Sequence, residues 1–486
     1  MDKNVEIVKN IEPKEVFKYF AEISDVARGS GNTSKIADYL VDFATRKNLK
    51  WTRDDYNNVI IVKESANKKN SSVALQAHTD MVCVKTDDNK KDMTKEGIDF
   101  VIDGKYLRAD RTTLGGDDGI GMSIALAILS NGIDYEREIV GIFTSDEETG
   151  MIGANNINLS NVKVNYLINI DHEDVNCIVE GCAGGTQLRY EKDCKLINKD
   201  NSKVLTLNVS GLLGGHSGME ITKKRGNANK IAINILYNFY SQIPFNLISI
   251  DGGKFDNAIP NLNVAKISIP ANADDAKIIK ILNDMIAEVK TKYEKSEADL
   301  NITFDLANRE KQVAVFNDED TKSIFEALYN LPDGLIATFE DRPDIAETSL
   351  NMGILKTDND KISFTYLVRS NINEKRVNLV KNVDNIATKQ NFKNTYSASY
   401  PAWEYKKTEL EDVAKNIYKS IFNKDLGVEL THGGLECGIL LEKLPGASAV
   451  SIGPTLYGAH SVDEKLEIET VKKIYDFVEK LLNSLS

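Results

Sequence analysis

At 486 residues the chain is long enough for about three average domains or two larger ones, and its 42% hydrophobic and 27% charged residues describe an ordinary globular protein. A net charge of −13 argues against nucleic acid or an anionic membrane surface as a partner. Five cysteines with no Cys-x-x-Cys pair argue against a disulfide framework or a thiolate zinc site and fit a reducing compartment. The polar N-terminus shows no secretory signal, and no apolar run approaches the roughly 18 residues of a membrane span, so the expected location is cytoplasmic.

Residues 14–48 carry helical periodicity, broken at Arg28-Gly-Ser-Gly31 into two helices. Val59–Val62 and Val73–Ala77 read as strands, the second running into His78-Thr79-Asp80. Leu114–Leu129 opens with Leu-Gly-Gly-Asp-Asp-Gly and passes into an apolar helix, which puts Asp117 just before a helix N-terminus. Ile139–Phe143 and Val164–Ile170 read as buried strands, followed by Asp146-Glu147-Glu148 and by Asp171. Strand–helix alternation implies an α/β sheet, and in such sheets sites gather beyond the carboxyl ends of the strands.

The pattern changes after Gly181-Cys-Ala-Gly-Gly185. Alternating strands near 204–210, 246–250, 263–269, 299–306, 350–355 and 362–369 mix with helices near 226–242, 274–295, 318–330 and 374–390. These describe an α+β region whose sheet is open on one face. From Tyr400-Pro-Ala-Trp403 onward the first character returns, with a helix at Leu410–Phe422, a short buried strand at Ala449–Ile452 and an amphipathic helix over 466–484. The expected fold is α/β: a discontinuous domain of residues 1–186 and 399–486 with a central mixed sheet flanked by helices, and an inserted α+β domain of residues 187–398.

Asp146, Glu147 and Glu148 repel one another, so they are either a solvated acidic turn or part of a site holding positive charge. The chain has five histidines: His78, His172, His216, His432 and His460. His78, Asp117, Glu148, Asp171 and His460 together supply imidazole nitrogens and carboxylate oxygens, donors suited to zinc, manganese or cobalt. They are enough for two ions sharing one bridging carboxylate.

Nine segments carry a family resemblance, in order along the chain. They are Ala77-His-Thr-Asp-Met-Val82, Leu107-Arg-Ala-Asp-Arg-Thr-Thr-Leu-Gly-Gly-Asp-Asp-Gly-Ile-Gly121, Phe143-Thr-Ser-Asp-Glu-Glu-Thr-Gly-Met-Ile-Gly-Ala154, Leu167-Ile-Asn-Ile-Asp171, Gly181-Cys-Ala-Gly-Gly185, Gly211-Leu-Leu-Gly-Gly-His-Ser-Gly218, Asn257-Ala-Ile-Pro260, Gly434-Leu-Glu-Cys-Gly438 and Gly453-Pro-x-x-x-Gly-Ala-His460. On them the chain resembles the M20 family of co-catalytic metallopeptidases, and within it the cytosolic aminoacyl-histidine dipeptidases, which cleave Xaa-His dipeptides such as carnosine.

The resemblance implies hydrolysis of small dipeptides, with two divalent metal ions per chain: Zn2+, with Co2+ or Mn2+ as alternatives. Asp117 bridges the ions, and the Asp117–Asp118 peptide is often cis in relatives. His78 and Asp171 complete one metal site, Glu148 and His460 the other. Glu147 is the general base toward a metal-bridged water, and Asp80 supports the His78 imidazole. In the inserted domain, acting as lid and dimerisation element of a homodimer, His216 stabilises the oxyanion, Arg369 grips the substrate carboxylate, and Asn257 and His432 line the substrate pocket. A tripeptidase or an N-acyl amino-acid deacylase on the same scaffold is the alternative. His172 and Asn261 stand where relatives more often carry a small hydroxyl residue and a basic residue, and Lys223-Lys224 is a milder departure. His172 reads as a bystander and Asp146 has no assigned role.

Overall fold

The computed structural model describes residues 3–485, apart from the side chains at 308–310. The chain divides into two compact units: Met1–Gly181 with Tyr405–Leu430 and Leu435–Ser486, and Cys182–Glu404 with Thr431–Gly434. The segment that carries His432 therefore groups with the second unit.

An eight-stranded mixed sheet forms the centre of the first unit, in the order Lys50–Arg53, Val59–Lys63, Ile139–Thr144, Val73–His78, Tyr166–Asn169, Ser448–Ser451, Cys177–Cys182, Gly427–Thr431. Val73–His78 runs parallel to both of its neighbours, and Ser448–Ser451 extends the parallel set beside Tyr166–Asn169. These strands are apolar at nearly every position because helices cover both faces of a parallel sheet. The register pairs His78 with Thr144 and Gln76 with Asn169, so the three strands end along one edge of the sheet. That edge delivers His78, the acidic triplet and Asp171.

The buried helix Gly116–Ser130 packs on Val73–His78, with Lys14–Ser24 against it. Its approach to the sheet edge is close: a Cβ at Gly121 would stand 2.1 Å from Asp118 Oδ1 and 2.3 Å from the Ile170 carbonyl oxygen. Only glycine fits there. Asp117 itself leaves the helical conformation, at φ −78° and ψ 112°, and its peptide bond to Asp118 is cis. A small antiparallel sheet of Leu456–Tyr457, Lys465–Glu467, Tyr106–Ala109 and Phe100–Asp103 completes this unit.

The second unit is built on a nine-stranded antiparallel sheet. Strands Lys361–Ser370 and Gly184–Asp193 lie beside each other near one edge of it, pairing Arg369 with Gly185. Helices Ala228–Tyr240, Asp275–Tyr293, Asp318–Asn330 and Asn373–Lys389 supply the rest of a core that includes Leu205, Leu236, Phe239, Phe325 and Phe364. Gly184–Asp193 alternates buried and less buried positions over much of its length, as a half-covered sheet requires. The strand reading near 350–355 covers only part of Ala346–Asp358, and the strands Gly184–Asp193 and Lys393–Tyr400 were not anticipated. Lys393–Tyr400 is polar and exposed at nearly every position, so neither a buried run nor an alternating pattern marks it.

Candidate metal centre

Asp117 stands between two groups of donors. Its Oδ1 lies 2.9 Å from His78 Nε2, which is itself 3.5 Å from Asp171 Oδ1. Its Oδ2 lies 3.0 Å from His460 Nε2, which is 2.9 Å from Glu148 Oε1. Within each trio, donor atoms sit inside 4.8 Å of one another, and His78, Glu147 and Glu148 form a further trio of the same size. His460 thus meets a carboxylate 343 positions earlier in the chain.

The fit of this donor set to cations is legible in its electrostatics. Burial alone would push the Asp117 carboxyl up, yet its bonds to His460 and His78 outweigh burial and hold it below the usual range. Burial would push His78 down, but Asp171, Asp117 and Asp80 outweigh it and hold the imidazole well above its ordinary value. His460 is raised to about 11 by its bond to Asp117 and by the adjacent Glu148 carboxylate. Clustered carboxylates are drawing protons onto imidazoles, and a cation between the same atoms relieves the same repulsion. Glu148 Oε1 adds a second sign. It is buried and has no hydrogen-bond partner among the described residues, although His460 Nε2 is 2.9 Å away. So close an approach without a hydrogen bond fits two atoms converging on a common point better than a donor and its acceptor.

Asp80 is fully buried beside this cluster. Its Oδ1 accepts the backbone N–H of Glu147 at 3.0 Å, and its Oδ2 is 3.4 Å from the N–H of Glu148 and 2.7 Å from the Ser30 hydroxyl that donates to it. His78 Nδ1 is 3.5 Å from that carboxylate and 3.2 Å from the Asp80 carbonyl oxygen. The carboxylate thus holds the acidic turn more closely than it holds the imidazole. Asp146, for which the sequence suggested nothing, accepts the N–H of Gly31 at 2.6 Å and sits at φ +53°. The turn after the strand needs that left-handed residue, and Asp adopts it more readily than most.

Arg28 was read only as a helix break. It is 2% exposed, and its guanidinium donates to the carbonyls of Thr79 at 3.0 Å, Asp80 at 2.9 Å and Gly115 at 2.5 Å. One side chain therefore ties the loop after His78 to the loop before Asp117. Burial lowers its guanidinium, opposed by Asp80 and Glu464. The Glu464 carboxylate in turn accepts the N–H groups of Leu114, Gly115 and Gly116.

Glu147 is pushed well above the ordinary carboxyl value, by burial first and then by Asp171, Glu148 and Glu436, with His78 opposing. Asp171 is raised to about 6 by burial against the same opposition from His78. Glu436, within the Gly434–Gly438 motif, is fully buried, and its Oε2 accepts from Gln76 Nε2 and Thr144 Oγ1, both at 2.6 Å. Burial raises it to about 7.

The second unit holds the other four predicted residues. His216 lies on the short strand Gly215–His216, paired with Ala258. Its Nδ1 accepts the N–H of Gly218 at 3.3 Å and of Met219 at 3.1 Å, which leaves the ring proton on Nε2. Asn257 is exposed, and its carbonyl accepts the N–H of Ser217 at 2.8 Å. Arg369 is buried, and its Nη1 is 3.1 Å from the Tyr400 hydroxyl. His432 is buried between Ser349 Oγ at 2.8 Å and Asn371 Oδ1 at 3.0 Å. Burial, then the Arg369 charge, lowers it to about 3, so its imidazole is neutral. His216 also acts on it electrostatically, which places these three side chains in one neighbourhood.

A family model described as Peptidase family M20/M25/M40 matches residues 74–484. The cytosol non-specific dipeptidase of Escherichia coli (strain K12) is 32% identical over 486 residues, 98% of this chain and 99% of that protein. The crystal structure of the aminoacylhistidine dipeptidase from Vibrio alginolyticus is similar at 31% identity and a TM-score of 0.86, covering 99% of this chain and 98% of that one. Aminopeptidase PepT from Bacillus cereus ATCC 10987 is similar in fold alone, at 15% identity and a TM-score of 0.55, with 97% of this chain and 98% of that one covered.

Proposed function

Because the chain belongs to peptidase family M20/M25/M40, we propose that it is a cytoplasmic dipeptidase using two divalent metal ions to cleave unblocked dipeptides, Xaa-His and β-Ala-His among them. The observation that carries this reading is the Asp117 carboxylate, each of whose oxygens faces a different imidazole–carboxylate pair. His78, Asp171, Glu148, His460 and Asp117 would hold the ions, His78 with Asp171 and Glu148 with His460, on either side of Asp117. Zinc suits this donor set best, and cobalt or manganese is accepted by the same atoms. When bound, the ions supply the positive charge that polarises a peptide carbonyl and makes water acidic enough to attack near neutral pH.

The chain's own residues divide the remaining work. Glu147 takes a proton from the attacking water and returns it to the leaving amine nitrogen, a role that its buried carboxyl, within reach of His78 and Glu148, supports. Asp80 fixes the backbone of Glu147 and Glu148. His216, with its proton on Nε2, donates to the developing oxyanion. Arg369 binds the free carboxylate of the substrate, with Asn257 and His432 lining the pocket. The second unit serves as the contact of a homodimer.

Metal-free protein reloaded with zinc, cobalt or manganese is assayed on carnosine, a panel of Xaa-His and other dipeptides, tripeptides and N-acetyl amino acids. Cleavage of free dipeptides is expected. A preference for tripeptides or blocked amines would move the reading to the alternative activities, and no cleavage of any member would remove it.

A further inference from the structure

The residue after Asp171 belongs to a second cluster of metal-ligating side chains. His172 Nε2 lies 3.1 Å from Cys177 Sγ, and a Glu429 carboxylate oxygen completes a trio whose atoms all lie within 4.8 Å of one another. His172 and Cys177 flank the loop that leads from Asp171 into the strand Cys177–Cys182, and Glu429 sits on Gly427–Thr431. A backbone bond from the Gly427 N–H to the Asn176 carbonyl, 3.1 Å, fixes the two segments beside each other. Cys177 is 5% exposed, whereas Glu429 faces solvent, which gives an ion an entry side.

Two simpler readings fit less well. A Cys–His nucleophile needs an acid that orients the imidazole and a thiol open to substrate. Here Glu429 hydrogen-bonds the thiol, not the ring, and the sulfur is buried. A plain thiol–imidazole hydrogen bond leaves the carboxylates unexplained. Burial first, and then the negative charges of Glu429 and Asp174, press the Cys177 thiol upward. A cation among the sulfur, the imidazole and the Glu429 carboxylate would take the place of the thiol proton and offset that negative charge.

We propose that His172, Cys177 and Glu429 form an additional site for a thiophilic divalent ion of the zinc type, tying the loop after Asp171 to the strand Gly427–Thr431. One imidazole nitrogen, one sulfur and one carboxylate oxygen are a borderline donor set that selects zinc or cobalt over magnesium or calcium. Ligand atoms bound tetrahedrally to zinc at ordinary lengths stand about 3.5 Å apart, so the trio closes on an ion with small side-chain movements. Binding deprotonates the Cys177 thiol and releases that proton to solvent, while the neutral imidazole and the carboxylate bind without losing one.

Cobalt separates this site from the centre around Asp117, whose donors are nitrogen and oxygen only. Metal-free full-length protein titrated with Co2+ is expected to develop a thiolate-to-cobalt charge-transfer band in the near ultraviolet, which added Zn2+ abolishes. The band should persist in Cys83→Ser, where the exposed thiol is removed, and vanish in Cys177→Ser. In Glu429→Gln, which changes an exposed position and leaves the fold intact, the cobalt concentration at half-maximal band should rise at least roughly tenfold. Absence of the band in the wild-type protein at saturating cobalt, its survival in Cys177→Ser, or an unshifted midpoint in Glu429→Gln would overturn the proposal. None of these readouts depends on peptide hydrolysis.

Discussion

The carboxylate of Asp80 accepts the backbone N–H of Glu147 at 3.0 Å, and both groups are held beside His78. Two sheet-edge loops, one after Val73–His78 and one after Ile139–Thr144, are joined by that bond. The consequence is that Asp80 acts on the acidic turn as well as on the imidazole. Asp80→Asn keeps the size of the side chain but turns one acceptor oxygen into an NH2 group facing a backbone N–H. It should lower kcat by about 10- to 100-fold and weaken metal retention by a similar factor, as loss of an outer partner of a metal ligand does. Steady-state kinetics beside metal content after dialysis checks both effects.

Glu147→Ala tests the base. Removal of a general base costs about 10²- to 10⁴-fold in rate. If Glu147 moves the proton without binding metal, kcat should fall by that amount while metal content and KM for dipeptides stay near wild type. A matching loss of metal would make Glu147 a ligand.

The fold was legible where pattern and packing agree. Val73–His78, Ile139–Thr144 and Tyr166–Asn169 are largely apolar runs, and such runs are what a sheet covered on both faces selects. The donors around Asp117 were legible as strand-end and pre-helix residues, because topology brings those ends together. Arg28 was not. Its local sequence, between glycine-rich residues, carries only a turn signal, and the three carbonyls it serves lie 51 to 87 residues further along the chain. Glu436 was visible in its motif, but its partners Gln76 and Thr144 lie on strands read only for burial. Asp146 and His172 were set aside for a related reason: an N–H from Gly31 and a thiol from Cys177 are tertiary facts with no periodic signature.

Arg28→Met should destabilise the protein strongly. It leaves the carbonyls of Thr79, Asp80 and Gly115 buried without their donor, and each unsatisfied group costs about 1–3 kcal/mol. A net loss of roughly 3–5 kcal/mol is expected. Denaturant unfolding measures it. Weaker metal binding should accompany it, because the two loops that Arg28 joins carry His78 and Asp117.

Arg369→Met should raise KM for dipeptides with a free C-terminal carboxylate while changing kcat less. The guanidinium is buried with its Nη1 against the Tyr400 hydroxyl, and a substrate carboxylate that reaches it gains a charge-assisted bond. Dipeptide amides provide the control: the wild-type protein should bind them more weakly, and the substitution should change them little. An equal effect on acid and amide would assign Arg369 to the packing around Tyr400 instead.

Stability in the first unit should fall as pH rises because of one buried acid pair. Glu180 is 2% exposed and lies against Glu411, whose Oε1 is held by Lys415 at 2.5 Å. Burial first, then Glu411, raises Glu180 from 4.5 to about 9. Between those values the folded protein keeps a proton that the unfolded chain has released, so folding is favoured at low pH and this contribution is lost as pH rises through 9. Glu180→Gln removes the titration and keeps the shape. It should match wild type near pH 5 and exceed it by about 1–2 kcal/mol at pH 8.5, a margin well below the full linkage value because Lys415 and relaxation screen the pair. Chemical unfolding of both proteins across this range gives the test, and a constant difference at every pH would show that Glu180 is ionised in the folded protein.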